Sequence, residues 1–226
     1  MKEKILLLHG ALGSKVQFDK IIADLSDKYD TYTLNFEGHG DNQSSANFSM
    51  ALFSKNVIDF LDDNNLDSIN IFGYSMGGYV ALNTALHSPY RIKTILTLGT
   101  KFNWSLDSAQ KQIKMLDPEI IEEKVPHFAK HLESIHGQSW KEVLGKTANM
   151  MLNMGKGNRL EKSDIKKIDH NIVLGLGSLD NMVSEEETIN TSSLLQTARM
   201  EILDGVKHPI ETVSPETIIA FIKKHI

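Results

Sequence analysis

The stretch Gly73-Tyr74-Ser75-Met76-Gly77-Gly78 decides how the rest of this chain is interpreted. An apolar run, residues 69–72, leads into it, and a helical pattern, residues 79–86, leads out of it. A serine at a sharp strand-to-helix turn projects its hydroxyl into open space, and flanking glycines let neighbouring backbone pass close by. On its own the stretch fits equally well a glycine-rich turn before a core helix, with Ser75 as the helix cap. The rest of the chain has to separate these two interpretations.

The composition is that of an ordinary globular chain, with 226 residues, of which 41% are hydrophobic and 23% charged, and a formal net charge of −5. No block of like charge is present, which argues against a nucleic-acid surface. No apolar run approaches the ~20 residues of a membrane span. Cysteine is absent, which excludes disulfides and a thiol nucleophile and fits a reducing compartment. We expect a cytoplasmic protein without a membrane span.

Strand-like and helical patterns alternate along most of the chain, which predicts a parallel sheet with right-handed crossovers. The expected fold class is α/β, with a mostly parallel sheet of about six strands and helices on both faces. Apolar runs place the strands at residues 5–8, 32–35, 69–72, 93–98, 171–176 and 198–203. The carboxyl ends of such strands form one rim, where ligands bind.

The alternation stops between residues 102 and 167, where helical patterns cover residues 105–116, 118–136 and 139–154. This predicts a core made of residues 1–101 and 168–226, with residues 102–167 as a helical lid over the rim. Met150, Met151 and Met154 are the lid residues expected to contact substrate, because methionine suits adaptable apolar pockets. A helical subdomain without substrate contact is the alternative.

Two further side chains follow strands on the same rim. Asp180 ends Gly177-Ser178-Leu179-Asp180, and His208 ends Gly205-Val206-Lys207-His208. Ser75 is inert until a base removes its proton, a role for His208, and Asp180 would fix the imidazole tautomer and stabilise the imidazolium. The backbone N–H groups of Met76, just after the nucleophile, and of Ala11, in the loop after the first strand, would stabilise an oxyanion.

With these motifs the chain resembles the α/β-hydrolase superfamily over nearly its whole length. The resemblance is carried by His9-Gly10-Ala11, by Glu37-Gly38-His39-Gly40-Asp41, by G-Y-S-M-G-G, and by the G-x-x-D and G-x-x-H segments. It implies acyl or ester hydrolysis. The chain begins at what is usually the third strand, hence six strands rather than eight. His39, on the rim, is a further candidate for substrate contact, whereas His9 is expected to order the loop that contains Ala11.

The expected function is that of a serine hydrolase that cleaves a small, largely apolar ester or thioester through an acyl-enzyme on Ser75. We expect no cofactor, no metal and no nucleic-acid partner; the partner is the small-molecule substrate. One alternative is a slow-turnover ligand sensor of hydrolase fold that signals to a partner protein. Another is a lyase like the synthase of menaquinone synthesis, against which the scarcity of arginine counts: Arg91, Arg159 and Arg199 are the only ones.

Overall fold

The computed structural model of the protein describes residues 2–226. Its centre is a sheet of six strands in the order β2-β1-β3-β4-β5-β6, in which every pair of neighbours is parallel. The strands are β1 Glu3–Leu8, β2 Tyr29–Thr33, β3 Ile69–Tyr74, β4 Ile92–Leu98, β5 Asn171–Gly177 and β6 Ala198–Leu203. The predicted α/β class and the number of strands are confirmed.

Helices cover both faces of the sheet because its central strands are apolar on both sides. In β1, Leu6 and Leu8 belong to one buried cluster, whereas Ile5 and Leu7 belong to a second. The first cluster includes apolar residues of the helices that follow β2 and β3. The second includes apolar residues of the first and the last helix of the chain. The helices of this core are α1 Asp19–Leu25, α2 Met50–Asp63, α3 Met76–His87, α9 Glu185–Ser192 and α10 Pro215–His225.

The second strand begins and ends earlier than the pattern predicts. It pairs with β1 from Tyr29 opposite Glu3 to Thr33 opposite Leu7. The predicted residues Leu34 and Asn35 have already left the ladder: the Asn35 side chain accepts a hydrogen bond from the N–H of Lys15 at 2.7 Å. Asn35 therefore connects the loop after β2 to the segment after β1 that contains Lys15, and it does not extend the strand.

Residues 102–167, here called the helical insertion, separate β4 from β5 and contain α4 Leu106–Ile113, α5 Pro118–Lys124, α6 Pro126–His136, α7 Trp140–Gly155 and α8 Lys162–Ile165. The single helix expected over residues 118–136 is two helices. Pro126 cannot donate a backbone hydrogen bond and disfavours helical geometry in the residue before it, and Val125 accordingly has φ −136° and ψ 57°. Within residues 2–226 no helix has both the length and the apolar character that crossing a bilayer requires.

Candidate active site

Ser75 lies between β3 and α3 in a backbone conformation that few residues adopt, with φ 49° and ψ −113°. The glycines on either side are required by close approach. A Cβ on Gly73 would lie 2.4 Å from the nitrogen of Gly78, and one on Gly77 would lie 2.2 Å from the carbonyl oxygen of Leu8. The Thr100 hydroxyl donates to the carbonyl of Ser75 at 2.9 Å. Strain of this kind persists only where the surroundings hold it, so the turn presents the serine in one orientation.

His208 and Asp180 complete a hydrogen-bonded chain that starts at Ser75. The distance from Ser75 Oγ to His208 Nε2 is 3.3 Å, and that from His208 Nδ1 to Asp180 Oδ2 is 2.8 Å. The other oxygen of Asp180 accepts from the backbone N–H groups of Met182 and Val183, at 2.8 and 2.9 Å. A carboxylate can only accept, so Nδ1 carries the imidazole proton and Nε2 is free to take the serine proton.

The electrostatic environment keeps Asp180 ionised. Its side chain is only 2% exposed, and burial by itself raises the pKa of this carboxyl. The hydrogen bond and charge interaction with His208, together with the bonds from Val183 and Met182, outweigh burial and leave the pKa of Asp180 below its ordinary value. Gly99 packs against the pair: a Cβ there would lie 3.1 Å from Asp180 Oδ2 and 3.2 Å from His208 Nδ1.

The turn from Gly10 to Gly13 contains Ala11, whose N–H is the second donor that the sequence predicts for an oxyanion. The N–H of Gly13 donates to the carbonyl of Gly10 at 3.1 Å, and His9 Nδ1 lies 2.8 Å from the same oxygen. The N–H of Phe36 donates to His9 Nε2 at 3.2 Å, so the proton of His9 is on Nδ1 and points at Gly10. Burial lowers the pKa of His9 to about 4, which keeps this arrangement neutral.

These bonds orient the N–H of Ala11. In a trans peptide the C=O and the N–H point in opposite directions, so a Gly10 carbonyl held by His9 and Gly13 turns the Ala11 N–H to the opposite side. Met76 is the first residue of α3, where backbone N–H groups have no partner within the helix. Within residues 2–226 neither the Ala11 nor the Met76 N–H donates a hydrogen bond. Both residues line the cavity described next.

An apolar cavity of about 290 Å³ opens in front of Ser75 and His208. Its walls come from two sources, the rim of the sheet and the helical insertion. The rim contributes residues such as Met50, Tyr79 and Met182, and the insertion contributes Trp104, Gln112, Met115, Leu116, Phe128, His131, Met150 and Met151. The insertion therefore forms a large part of the surface that a molecule near Ser75 would touch.

Two of the residues expected to contact substrate do not line this cavity. His39 is fully buried, and its ring stacks on Phe48 with the ring centroids 4.8 Å apart. Met154 is 1% exposed and belongs to the core cluster that joins the insertion to the sheet. His39 is turned inward because its loop folds back on itself, with the N–H of Gly38 bonded to the carbonyl of Asn42 at 2.6 Å. Met154 packs with other buried apolar residues of that cluster and so faces away from the cavity. Met150 and Met151 do line the cavity.

Several residues around the site escaped the sequence pattern. Tyr74 donates from its hydroxyl to the carbonyl of His208 at 2.7 Å, which ties the histidine loop to β3. Gly99 and Thr100 follow β4, a position without an aspartate or glutamate that would mark it as part of a site. Met50 and Tyr79 line the cavity from helices whose apolar residues look like ordinary core. For Gly99 and Thr100, the position directly after a strand that ends at the rim was a usable signal in the sequence. No such signal distinguished Tyr74.

Comparison with known proteins places the chain in a family. Residues 4–204 match the model of the alpha/beta hydrolase fold family. The chain is 33% identical over 100 residues to a "Probable alcohol acetyltransferase" of Wickerhamomyces anomalus, covering 43% of this chain and 29% of that protein. It is 30% identical over 115 residues to a Mycoplasma genitalium protein assigned as an esterase/lipase, covering 50% and 43%. The chain thus spans less than half the length of these curated relatives.

Among solved structures, NosK from Streptomyces actuosus superposes with a TM-score of 0.86 at 18% identity, over 100% of this chain and 97% of that one. At this identity the likeness concerns the fold alone. The family model, by contrast, matches residues 4–204, most of the sequence. The serine on a strand-to-helix turn and the chain order serine, aspartate, histidine are also typical of this fold. The chain belongs to the α/β-hydrolase fold family.

Proposed function

We propose that the protein is a serine hydrolase that cleaves a small, largely apolar ester or thioester. The observation that carries the proposal is the hydrogen-bonded chain from Ser75 through His208 to Asp180. Ser75 and His208 line an apolar cavity. A serine hydroxyl needs such a base to become nucleophilic, and the base needs an acceptor that fixes its tautomer.

In the proposed reaction, Ser75 Oγ attacks the acyl carbon while His208 Nε2 takes its proton. The negative oxygen of the tetrahedral intermediate accepts hydrogen bonds from the N–H groups of Met76 and Ala11. His208 then returns the proton to the departing alcohol or thiol, and the acyl group remains on Ser75. Water, deprotonated by the same histidine, releases the acid and regenerates the serine.

The size and lining of the cavity support the choice of substrate. About 290 Å³ lies at the lower end of the ~300–1,000 Å³ of ligand pockets. Six of the nine methionines line it, namely Met50, Met76, Met115, Met150, Met151 and Met182. Unbranched, polarisable side chains suit flexible acyl chains. We infer that the helical insertion acts as the lid of this pocket and sets its preference for chain length.

The first test is hydrolysis of p-nitrophenyl esters from acetate to octanoate by the wild type and by Ser75→Ala. The proposal predicts steady turnover that favours the shorter esters and that Ser75→Ala abolishes. A single burst without steady turnover would favour a ligand sensor. The cavity offers no support for a lyase that binds carboxylates through arginine, because no arginine lines it among residues 2–226.

The relatives named as alcohol acetyltransferases motivate one second candidate, acyl transfer to an alcohol. The acyl-enzyme is the same, and the outcome depends on whether water or alcohol attacks it. Adding ethanol to the ester assay and measuring ethyl ester by gas chromatography separates the two. Free acid as the main product supports hydrolysis, and ethyl ester as the main product supports transfer.

A further inference from the structure

The end of one insertion helix reaches the turn that contains Ala11. His136 is the last residue of α6 and is 2% exposed. Its Nε2 lies 2.9 Å from the carbonyl oxygen of Leu12, and its Nδ1 lies 3.0 Å from the N–H of Gly40. A single side chain of the insertion thus connects the Gly10–Gly13 turn to the loop after β2.

The roles of the two ring nitrogens follow from their partners. A backbone N–H can only donate, so His136 Nδ1 has no proton and accepts from Gly40. A carbonyl can only accept, so Nε2 has the proton and donates to Leu12. The ring is therefore neutral and both of its nitrogens are used, as burial requires. Burial also lowers the pKa of His136, which favours the neutral form.

The turn needs such support because it is strained. Leu12 has a φ of 62°, a left-handed conformation that costs a residue with a Cβ about 1–2 kcal/mol. Together with the bond from the Gly13 N–H to the Gly10 carbonyl, a positive φ at the third position is typical of a type II turn, where glycine is the usual residue. The Leu12 side chain packs against an apolar cluster of the insertion that includes Leu132 and Trp140. Both the side chain and the carbonyl of Leu12 are therefore held by the insertion.

We propose that His136 is a positioning residue for the reaction at Ser75: its bond to Leu12 holds the strained turn so that the Ala11 N–H faces the developing oxyanion. This inference rests on the proposed function, because the position of an oxyanion donor matters only in an enzyme that forms a tetrahedral intermediate. It touches neither Ser75 nor the cavity, and it works through the turn. The helical insertion then does more than shape the pocket, since it also holds half of the oxyanion site.

The test uses two substitutions that each keep one of the two bonds. In His136→Asn the amide sits at the level of Nδ1, so the contact with Gly40 can remain while the bond to Leu12 is lost. In His136→Gln the amide nitrogen reaches the level of Nε2, so a donor to Leu12 remains. Ser139→Ala is the matched control, because Ser139 bonds the Gln43 side chain at 2.7 Å and so ties the insertion to the same loop without touching the turn.

For each protein, kcat and KM are measured with p-nitrophenyl butyrate, and Ki with an alkyl trifluoromethyl ketone, which forms a tetrahedral oxyanion on the serine. Deleting one oxyanion donor costs about 10²–10³ in rate, so a displaced donor in His136→Asn should lower kcat about 10- to 100-fold. Ki should rise by the same factor. KM should stay near the wild-type value, because the hydrogen bond from the Ala11 N–H to the oxyanion forms in the transition state and not in the substrate complex. His136→Gln and Ser139→Ala should retain most of the wild-type kcat.

Equal loss of kcat in His136→Asn and His136→Gln would overturn the proposal, as would wild-type kcat and Ki in His136→Asn. If His136→Asn does not fold, His136→Met replaces it: this side chain matches glutamine in length but has no donor, and the same difference in kcat from His136→Gln is expected. An active, Ser75-dependent wild type with unaffected His136 variants refutes this inference alone. A wild type without Ser75-dependent turnover refutes the proposed function as well.

Discussion

The substitution Asp180→Asn tests the catalytic assignment in the most detail, because the structure fixes how an asparagine amide would lie there. One oxygen of Asp180 accepts two backbone hydrogen bonds, from Met182 and Val183, and the other accepts from His208 Nδ1. The asparagine oxygen must take the side of the two N–H groups. The amide NH₂ then faces His208 Nδ1, which has to become an acceptor. The histidine proton moves to Nε2, and His208 can no longer accept the proton of Ser75.

The magnitude follows from the alternative orientation of that amide. Turning the amide over restores the useful tautomer but places its NH₂ against the N–H groups of Met182 and Val183. Both donors then lack an acceptor, at about 1–3 kcal/mol each. A penalty of roughly 2–6 kcal/mol corresponds to a loss of kcat of about 30-fold to 10⁴-fold, and the same substitution in the serine protease triad costs about 10⁴. The two backbone bonds survive, so the free energy of unfolding should fall by only about 1–3 kcal/mol.

The assay is kcat for p-nitrophenyl butyrate at pH 7.5, with urea unfolding to establish that the variant is folded. Asp204→Asn is the matched control: Asp204 is exposed and accepts from the Ser178 hydroxyl at 3.2 Å, in the same pair of loops. Its kcat should stay within about twofold of the wild type, as for most surface substitutions. If Asp180→Asn loses less than tenfold, or if Asp204→Asn loses as much, the assignment of the carboxylate is wrong.

Three other predictions follow from the same structure. Gly99→Ala should lower kcat about tenfold, because the new methyl group presses on the carboxylate–imidazole pair and small displacements there are costly; Gly157→Ala, also at positive φ but with open space around its Cβ, should leave kcat unchanged. Met151→Ala should shift the preference among p-nitrophenyl esters by about 1–3 kcal/mol, and a uniform drop in kcat/KM for all the esters would contradict this. Met154→Ala should instead lower the free energy of unfolding by about 2–5 kcal/mol without changing that preference. Burial lowers the pKa of His9 to about 4, so between pH 6.5 and 4 the unfolded chain binds a proton that the folded chain excludes. Urea unfolding at pH 5.5 should give a free energy of unfolding about 1 kcal/mol lower than at pH 7.5 from this residue alone. A free energy of unfolding that rises on acidification would refute this prediction.

The sequence predicted the sheet well because buried parallel strands read as continuous apolar runs. The runs at β1, β3, β4 and β5 are short and covered on both faces, which is the pattern of strands in a buried parallel sheet. The prediction failed at β2, an edge strand whose residues are only partly buried. It also failed at Val125, where the apolar periodicity continues through a residue that the following proline removes from the helix.

The proximity of the three side chains was predictable from the place of each residue in its loop. Ser75, Asp180 and His208 each follow a strand, and parallel strands bring their carboxyl ends to one rim. His39 also follows a strand, but the turn of its loop buries it against Phe48, and no periodicity in the sequence reports such a turn. His136 was out of reach for another reason: its partners stand 96 and 124 residues away, and only the packed structure brings them together.

The central claim is that Ser75 is the nucleophile, and covalent labelling with a fluorophosphonate tests it most directly. Such a probe reacts with serines activated by a neighbouring base, and mass spectrometry of proteolytic fragments locates the adduct. We predict an adduct on Ser75 in the wild type and no labelling of a folded Ser75→Ala protein. An adduct on another residue, or labelling that survives the substitution, would contradict the account.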